Sequence, residues 1–325
     1  MFGLNLIEHI WYQKHVLQKV LYPFALVFSV IVVCRRWFLE RWIQRPIDVP
    51  IVVVGNITAG GVGKTPLVIS IARACTERGL RVGIVSRGYR AKVRCFPYEV
   101  NVDDDALWVG DEPLLLAQQT CCPVVIAKKR MKAVHYLLHH HQCQIIISDD
   151  GLQHYAMPRA IEVVVIDGVR RFGNGLSHPA GPLRESLNRI RSVDFLVING
   201  GEYPDAYTMK MKLGGLTSLV DGTTKPITHF NQTIAAVTGI GHPKRFFDAL
   251  SSMGLHFQPY VFPDHHAFSK QDLDVSEPFL VMTEKDAVKC RTFATSKMYF
   301  LPVTAEIDAA FWQAFWTHEQ LRELL

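Results

Sequence analysis

Four glycines followed by a lysine and a threonine carry the clearest chemistry in this chain of 325 residues. The stretch reads VVVGNITAGGVGKTPLV, from Val52 to Val68. A glycine-rich loop between a strand and a helix presents backbone N–H groups at the helix N-terminus, where partial positive charge favours phosphate. In such a loop the lysine reaches the β- and γ-phosphates and the hydroxyl binds Mg²⁺. The sequence therefore predicts nucleotide binding by Thr58, Ala59, Gly60, Gly61, Val62, Gly63, Lys64 and Thr65.

This loop departs from the strict phosphate-loop pattern at Thr58, and at Ala59 it lacks the residue that marks one class of ATPase. The pattern G-x-x-x-x-G-K-[ST] has glycine where Thr58 stands. The letters GGVGKT also resemble the partitioning ATPases of the Min and Par type, many of which act at membranes. Their signature is a second lysine early in the loop, and Ala59 occupies that place here. A membrane-bound regulatory ATPase stays open as the alternative function, without its expected lysine.

Two pairs of acidic residues are candidates for binding Mg²⁺ beside the phosphates. Asp149 and Asp150 end the apolar run from Gln144 to Ser148, and carboxylates at the end of a strand beside a phosphate loop can hold Mg²⁺. The alternative is a solvated turn. Asp111 and Glu112 precede a proline and a helical run, so helix capping explains them equally well. Thr65, Asp149, Asp150 and Glu112 form the predicted set of Mg²⁺ ligands.

Three arginines follow predicted strands or lie in a glycine- and proline-rich loop, where they could meet acidic groups of a substrate. Arg87 comes directly after the strand RVGIV, at the carboxyl end of the sheet where ligands of open α/β folds bind. Arg171 and Arg184 lie in GVRRFGNGLSHPAGPLRES, which is typical of a functional loop. The planar fork of arginine suits phosphate. The alternative for each is an unpaired surface arginine.

The N-terminal segment combines an apolar run with basic flanks. Val20 to Cys34 contains no charge, but as a helix it spans about 22 Å, short of the roughly 30 Å hydrocarbon core. Basic residues flank the run on both sides and aromatic residues surround it, as at a headgroup boundary. A buried core helix and a single-pass anchor are alternatives. We predict a helix lying in or dipping into one leaflet, held by its basic rim to anionic lipid.

Length and charge predict two α/β domains and no nucleic-acid partner. Of the net charge of +5, residues 1–46 contribute +4, so the rest of the chain is nearly neutral. The alternation of short apolar strands, glycine turns and helices predicts a parallel P-loop sheet and a second, smaller α/β/α domain, joined by a two-stranded β ribbon. The expected segments are the membrane-associated helix 1–46, the P-loop domain 47–208, the ribbon 209–230 and the C-terminal α/β domain 231–325.

Seven motifs, in order, resemble the tetraacyldisaccharide 4′-kinase family of the lipid A pathway. They are TAGGVGKTP, SRGYR, GDEP, SDDGLQH, PAGPLRES, PDHH and MTEKDAVK, and the resemblance runs from about Trp11 to Leu301. The P-loop is generic, whereas SDDGLQH, PAGPLRE and TEKD together are specific.

This resemblance implies a magnesium-dependent kinase that faces the cytoplasm from the inner membrane. It implies transfer of the γ-phosphate of ATP to the 4′-hydroxyl of a tetraacyl glucosamine disaccharide 1-phosphate. It also implies that Asp111 is the catalytic carboxylate, with His265 of PDHH as its partner across the cleft between domains, and that Lys64 stabilises the transferred charge. The membrane surface and the glycolipid are the expected partners, while the oligomeric state stays open. A kinase for another lipid or sugar is the alternative among enzymes.

Overall fold

The computed structural model describes residues 2–322 and 324, with side chains from residue 6 onward. The expected segments 1–46 and 231–325 include Met1, Glu323 and Leu325, which lie outside the described residues. The strands in chain order are β1 (Ile51–Gly55), β2 (Val82–Ser86), β3 (Tyr98–Glu99), β4 (Val124–Ile126), β5 (Ile145–Asp149), β6 (Ile161–Asp167), β7 (Phe195–Asn199), β8 (Tyr207–Leu213), β9 (Leu216–Ser218), β10 (Thr224–Lys225), β11 (Ile234–Thr238), β12 (Phe257–Val261), β13 (Leu280–Thr283), β14 (Met298–Leu301) and β15 (Val303–Ile307).

The chain combines these strands with helices. In chain order they are α1 (Phe2–Tyr12), α2 (Leu17–Phe38), α3 (Lys64–Glu77), α4 (Ala106–Val109), α5 (Asp111–Thr120), α6 (Arg130–His141), α7 (Pro243–Ser252), α8 (Glu284–Ala287) and α9 (Ala309–Thr317). The first sheet has nine strands in the order β15-β8-β7-β6-β1-β5-β2-β4-β3, and the second has six in the order β10-β9-β14-β13-β11-β12. The predicted α/β architecture with two sheets is confirmed.

The centre of the first sheet is parallel and buried on both faces. β1, β2, β5 and β6 have no exposed residue, as their runs of valine and isoleucine predict for strands covered by helices. β1 pairs with β5 and β6, and β5 also pairs with β2, all in parallel. The loops after β1, β2 and β5 therefore emerge at one edge, which brings the glycine loop, Arg87 and the Asp149–Asp150 turn to the same end of the sheet.

The connection between the two sheets differs from the ribbon expected within 209–230. β8 pairs antiparallel with β15, so the ribbon combines the strand that leaves the first sheet with the strand that returns to it. β9 and β10 form a separate short antiparallel pair at the edge of the second sheet. The alternating pattern and the turns of this segment correctly predict strands. They contain nothing that identifies β15, about ninety residues later, as the partner of β8.

The end of the chain also differs from the C-terminal segment expected at 231–325. Residues from β15 onward return to the first sheet, where Phe311 and Phe315 of α9 are fully buried. The Phe311 ring packs with its centroid 5.4 Å from that of Phe195 on β7. Burial of these aromatic side chains fixes α9 on the first sheet, so the second sheet and its helices are formed by an insertion between β8 and β15.

The N-terminal segment forms a helix longer than its uncharged run. α2 continues through a π-helical turn, Leu39–Ile43, giving 27 residues, or about 40 Å. Among the described residues this is the one helix long and apolar enough to cross a membrane, and 6% of its apolar window is buried. The buried core helix, one of the three alternatives, is therefore wrong. Ala25 is buried and the Ser29 hydroxyl contacts that of Ser177 at 2.9 Å, so one side of α2 packs on the protein.

Candidate active site

The glycine loop adopts a conformation that needs glycine at its end. Gly63, which precedes α3, has φ +91°, a left-handed value that side chains rarely adopt. A β-carbon on Gly63 would lie 2.5 Å from the Asn199 side-chain nitrogen. That nitrogen donates to the Val62 carbonyl at 3.0 Å and holds the loop against β7. Any larger residue at position 63 would displace this bond, so the loop and the sheet are fitted to each other.

Thr58 explains how the loop tolerates its departure from the strict pattern. It is buried and forms an isolated β-bridge with Leu183. The backbone of Thr58 is therefore extended, a conformation that any residue adopts. The next residue, Ala59, donates its N–H to the Pro182 carbonyl at 2.9 Å. The Asn56 side chain donates to the Thr58 carbonyl at 2.7 Å. The first half of the loop is thus paired with the segment PAGPLRES, and Asn56, which the sequence analysis missed, fixes its shape.

Lys64 lies between the loop and the acidic turn that follows β5. Its ammonium group is 3.2 Å from the Asp150 carboxylate, and the Arg184 guanidinium approaches the same carboxylate at 3.5 Å. Burial opposes ionisation of Asp150, but the charges of Lys64 and Arg184 outweigh it and lower the pKa of this carboxyl. Asp150 also has a left-handed φ of +47°, a strained conformation of the kind found at functional sites.

Asp149 is fully enclosed, and one of its oxygens lacks a hydrogen-bond partner among the described residues. Burial, with the charges of Glu112 and Asp150 nearby, raises its pKa to about 7. Its free oxygen, Oδ1, is buried. The Arg130 guanidinium donates to the carbonyl groups of Asp149 and Asp150 at 2.9 and 2.8 Å, which fixes the turn. Nothing in the sequence singled out Arg130, because its partners are carbonyl groups.

The turn of Asp149 and Asp150 fits a divalent cation that is also bound by the phosphates of a nucleotide. A buried carboxylate with a free oxygen is costly unless it is protonated or meets a cation. Mg²⁺ usually takes one or two carboxylates together with phosphate oxygens and water. Over residues 2–322 and 324, no three His, Cys, Asp or Glu side chains converge on a single point. A site of this composition therefore needs phosphate oxygens to complete it.

His265 and Asp111 meet across the space between the two sheets, as the resemblance implied. The Nδ1 atom of His265 lies 2.9 Å and 3.1 Å from the two Asp111 oxygens. Asp111 begins α5, with Gly110 rather than Asp111 in the capping position. Burial raises the pKa of Asp111, but the hydrogen bond from His265 and the charge of Lys285 outweigh this and bring it to about 2. The carboxylate is therefore ionised at neutral pH.

Lys285 pairs with acidic residues of α5 and with one next to His265, and the sequence analysis did not predict it as a site residue. Its ammonium group is 2.9 Å from Glu112, 3.8 Å from Asp111 and 3.9 Å from Asp264. Burial lowers the pKa of this lysine, but the three carboxylates outweigh burial and raise it. Lys285 lies in the motif MTEKDAVK, which is the signal that could have found it. Glu112, a predicted Mg²⁺ ligand, is paired with this lysine.

The turn that carries His265 is held by a buried carboxylate. His265 has φ +59°, and its backbone N–H donates to the Gly239 carbonyl at 3.1 Å. The Gly239 N–H in turn donates to Asp286 at 3.0 Å, and Asp286 also accepts from Thr283 at 2.6 Å. Asp286 is fully buried. It therefore links the TEKD turn to the strained conformation that aims His265 at Asp111.

The structure brings only some of the predicted arginines to the loop. Arg184 reaches Asp150, and Arg87 is exposed after β2. Arg87 lies close enough to Arg130 for its charge to lower that residue's pKa, after the larger effect of burial. Arg171 donates instead to the Glu202 carbonyl at 3.4 Å, away from the acidic turn. Its neighbour Arg170 lies beside the glycine loop.

Sequence comparisons match the chain to one family. A family model described as tetraacyldisaccharide-1-P 4′-kinase matches residues 17–320. The chain is 51% identical over 316 residues to a tetraacyldisaccharide 4′-kinase of Legionella pneumophila strain Lens, covering 97% of this chain and 98% of that protein. It is 46% identical over 269 residues to the Alcanivorax borkumensis enzyme of the same name, covering 81% and 82%.

A solved structure matches as well. It is LpxK from Aquifex aeolicus in complex with ATP, at 25% identity and a TM-score of 0.78, covering 94% of this chain and all of that one. The family match spans nearly the whole chain, and the motifs that carry the resemblance are those that line the site. This chain therefore belongs to the tetraacyldisaccharide-1-P 4′-kinase family.

Proposed function

We propose that this chain transfers the γ-phosphate of ATP to the 4′-hydroxyl of a tetraacyl glucosamine disaccharide 1-phosphate, a step of lipid A biosynthesis. The observation that carries the proposal is the Asp111–His265 pair between the two sheets; Glu112, next to Asp111, lies close enough to Asp149 for its charge to raise the pKa of that carboxyl. Family membership supports the reaction, and the ATP held by the related LpxK structure supports the donor. The alternative, a regulatory ATPase of the Min or Par type, is not favoured by the family match.

The direct test is to supply γ-labelled ATP with and without the glycolipid. Label transferred to the lipid supports the kinase, and release of phosphate that is unaffected by lipid supports the regulatory ATPase. A disaccharide already phosphorylated at the 4′ position is the matched control acceptor, because it keeps the acyl chains but lacks the hydroxyl. Equal labelling of both lipids would contradict transfer to the 4′-oxygen.

In this proposal the chain's own residues bind, orient and deprotonate. Backbone N–H groups of the loop and the Lys64 ammonium group hold the phosphates, and Arg184 adds positive charge near Asp150. Asp111, with its pKa near 2, orients the acceptor hydroxyl as a hydrogen-bond acceptor. Phosphoryl transfer depends mainly on positioning, and the proton leaves the hydroxyl late. His265, an imidazole in contact with Asp111, can take that proton.

Mg²⁺ belongs to the same proposal, with Thr65, Asp149 and Asp150 as the residues that would hold it. When bound, it neutralises charge on the β- and γ-phosphate oxygens. The free oxygen of Asp149 supports this assignment. Glu112 fits less directly because Lys285 already pairs with it.

Replacing Asp149 or Asp150 with asparagine is expected to lower turnover and raise the Mg²⁺ concentration needed for half-maximal rate. Asparagine keeps the size of each side chain and removes the charge that attracts the cation. The measurement is an Mg²⁺ titration of the transfer rate at saturating ATP. Asp248→Asn is the matched control, since Asp248 pairs with Lys244 on the exposed face of α7. An unchanged Mg²⁺ requirement in both variants would mean that Asp149 and Asp150 form a solvated turn and do not bind the metal.

We propose that the exposed face of α2 seats the enzyme on the inner membrane, with both sheets facing the cytoplasm. Val27, Val30 and Ile31 are 59%, 62% and 57% exposed, whereas Ala25 on the packed side is 3% exposed. Lys19, Arg35 and Arg36 flank this surface. An apolar face with a basic rim fits an anionic lipid surface.

Introducing Asp at both Val27 and Ile31 is therefore expected to release the protein from anionic vesicles. The change should raise KM for the glycolipid more than KM for ATP, because the helix contributes location rather than chemistry. Vesicle sedimentation and the two KM values are the measurements. Val220→Asp, at a 59% exposed valine near the second sheet, is the matched control. Full vesicle binding by the double variant would contradict the seat assigned to α2.

We also propose that the two sheets with their helices act as two domains that close over the substrates. Residues 47–213 with 303–322 would form the first, and 214–302 the second. Three contacts that cross the cleft support this: His265 with Asp111, Lys285 with Glu112, and Arg90 with the His265 carbonyl.

A further inference from the structure

Arg170 lies beside the first half of the glycine loop. A β-carbon placed on Gly60 would lie 3.8 Å from the Nη1 atom of Arg170, and no other described atom outside the adjacent residues comes within 4 Å. At Gly61 no described atom comes within that distance. The space over Gly60 and Gly61 is therefore open, with one guanidinium group at its edge.

Residues of α1 hold this guanidinium in place. Its Nη2 atom is 2.7 Å from the Glu8 carboxylate, and its central carbon lies 5.0 Å from the centre of the Tyr12 ring. The backbone N–H of Arg170 donates to Asp167 at 3.0 Å. Within the described part of the chain, Nη1 makes no hydrogen bond. Arg170 is thus anchored on one edge and open on the other, toward the loop.

The acidic neighbours of Arg170 contact groups other than Nη1. Asp167 is buried, and its Oδ1 accepts the N–H groups of Val169 and Arg170 and pairs with Arg245 of α7 at 2.8 Å, while its Oδ2 has no hydrogen-bond partner among the described residues. His242, at the start of the same helix, is kept neutral at physiological pH, because burial and the charges of Arg170 and Arg245 lower its pKa to about 4. Among the described residues, Glu8 is thus the carboxylate that pairs with the Arg170 guanidinium, and it does so through Nη2 rather than Nη1.

We propose that Arg170 binds a phosphate oxygen of the nucleotide through Nη1, while Glu8 and Tyr12 act as positioning residues that hold its other edge. The inference rests on the proposed nucleotide site and extends it, because it makes α1 part of that site. The loop offers N–H groups to phosphate, and the planar fork of arginine can serve Glu8 and a phosphate oxygen at once. Lysine, a single point charge, cannot do both.

The test is the dissociation constant of ATP with Mg²⁺, measured by calorimetry on the full-length protein without glycolipid. Arg170→Ala is expected to weaken binding about 10–100-fold, the range for one hydrogen bond to a charged group. Arg170→Lys should recover only part of this. Glu8→Gln should cause a smaller loss, and adding it to Arg170→Ala should cause no further loss, since both act through one guanidinium.

Two controls separate this inference from general damage. Glu40→Gln removes a carboxylate that also pairs with an arginine of the N-terminal segment, Arg36, and should leave ATP affinity unchanged. Thermal unfolding identifies any variant that fails to fold, and Glu8→Gln, at a half-exposed side chain, then carries the test. ATP affinity close to wild type in both Arg170→Ala and Glu8→Gln would overturn the inference. Because binding is measured without acceptor, a failure of the proposed transfer reaction would be seen separately.

Discussion

Replacing Asp111 with alanine is expected to lower kcat about 10²–10⁴-fold, the range for a positioned acid–base group, with little change in ATP affinity. The carboxylate faces His265 at 2.9 Å and is ionised because its pKa lies near 2. So acidic a group is a weak base, and its contribution is to orient the hydroxyl and stabilise a protonated His265. Steady-state kinetics together with ATP binding measure the two effects.

The partner of Asp111 makes this prediction sharper. The kcat of His265→Ala should fall by a smaller factor than that of Asp111→Ala. The kcat of the double variant should fall by less than the product of the two factors, because the effects of residues that act as a unit are non-additive. Asp272→Asn is the matched control: Asp272 forms a similar pair with the adjacent His266 at 3.2 Å, without contacting Asp111. Fully multiplicative losses would mean that the two residues act independently. A large loss of ATP affinity in Asp111→Ala would assign Asp111 to the metal instead.

Replacing Lys64 with alanine is expected to reduce turnover about 10²–10³-fold while the protein stays folded. A fixed positive group facing charge that develops in the transition state supplies about 2.7–4 kcal/mol. Lys64 is also the closer of the two described cations that pair with Asp150, so its loss leaves that carboxylate to Arg184. Thr65→Ala should also lower turnover strongly, because the Thr65 hydroxyl is a proposed Mg²⁺ ligand. The measurements are kcat for transfer and the unfolding midpoint.

Lys244→Ala is the control for Lys64. Its side chain is 83% exposed and pairs with Asp248 on the surface of α7, so the variant removes one positive charge from the protein without touching the loop. Its turnover should match wild type. A Lys64 variant that keeps more than about a tenth of wild-type turnover would mean that this loop does not stabilise the transferred charge.

Local patterns predicted the elements around the site well. The run before the loop is β1, the run before Asp149 is β5, and Pro243 begins α7 as expected. These succeed because each signal lies within a few residues: buried parallel strands are continuous apolar runs, and glycine and proline mark the turns. The edge shared by the loop and the acidic turn follows from the parallel pairing of β1 with β5.

Contacts between distant segments could not be read from such patterns. Asp111 and His265 are 154 residues apart, and only the family resemblance joined them. Lys285 was missed although it lies in the motif MTEKDAVK, because a lysine in a turn is a common surface residue and the motif does not name its carboxylate partners. Arg130 was missed because its partners are backbone carbonyl groups, which have no sequence signal. Arg171 and Arg170 are neighbours in one loop, yet Arg171 contacts the Glu202 carbonyl and Arg170 contacts Glu8, a difference that their sequence positions do not indicate.

The antiparallel pair of β8 and β15 has a mechanical consequence. The chain leaves the first sheet and returns to it side by side, and the Gly214 N–H still bonds the Pro302 carbonyl at 2.9 Å just beyond the ribbon. The inserted residues 215–301 are therefore joined to the first sheet by one double-stranded connection, and their two ends lie side by side. Adjacent ends are typical of the insertions that a host fold tolerates. The domain closure proposed above has to bend this connection, so a chemical crosslink across it is expected to slow turnover while both sheets stay intact.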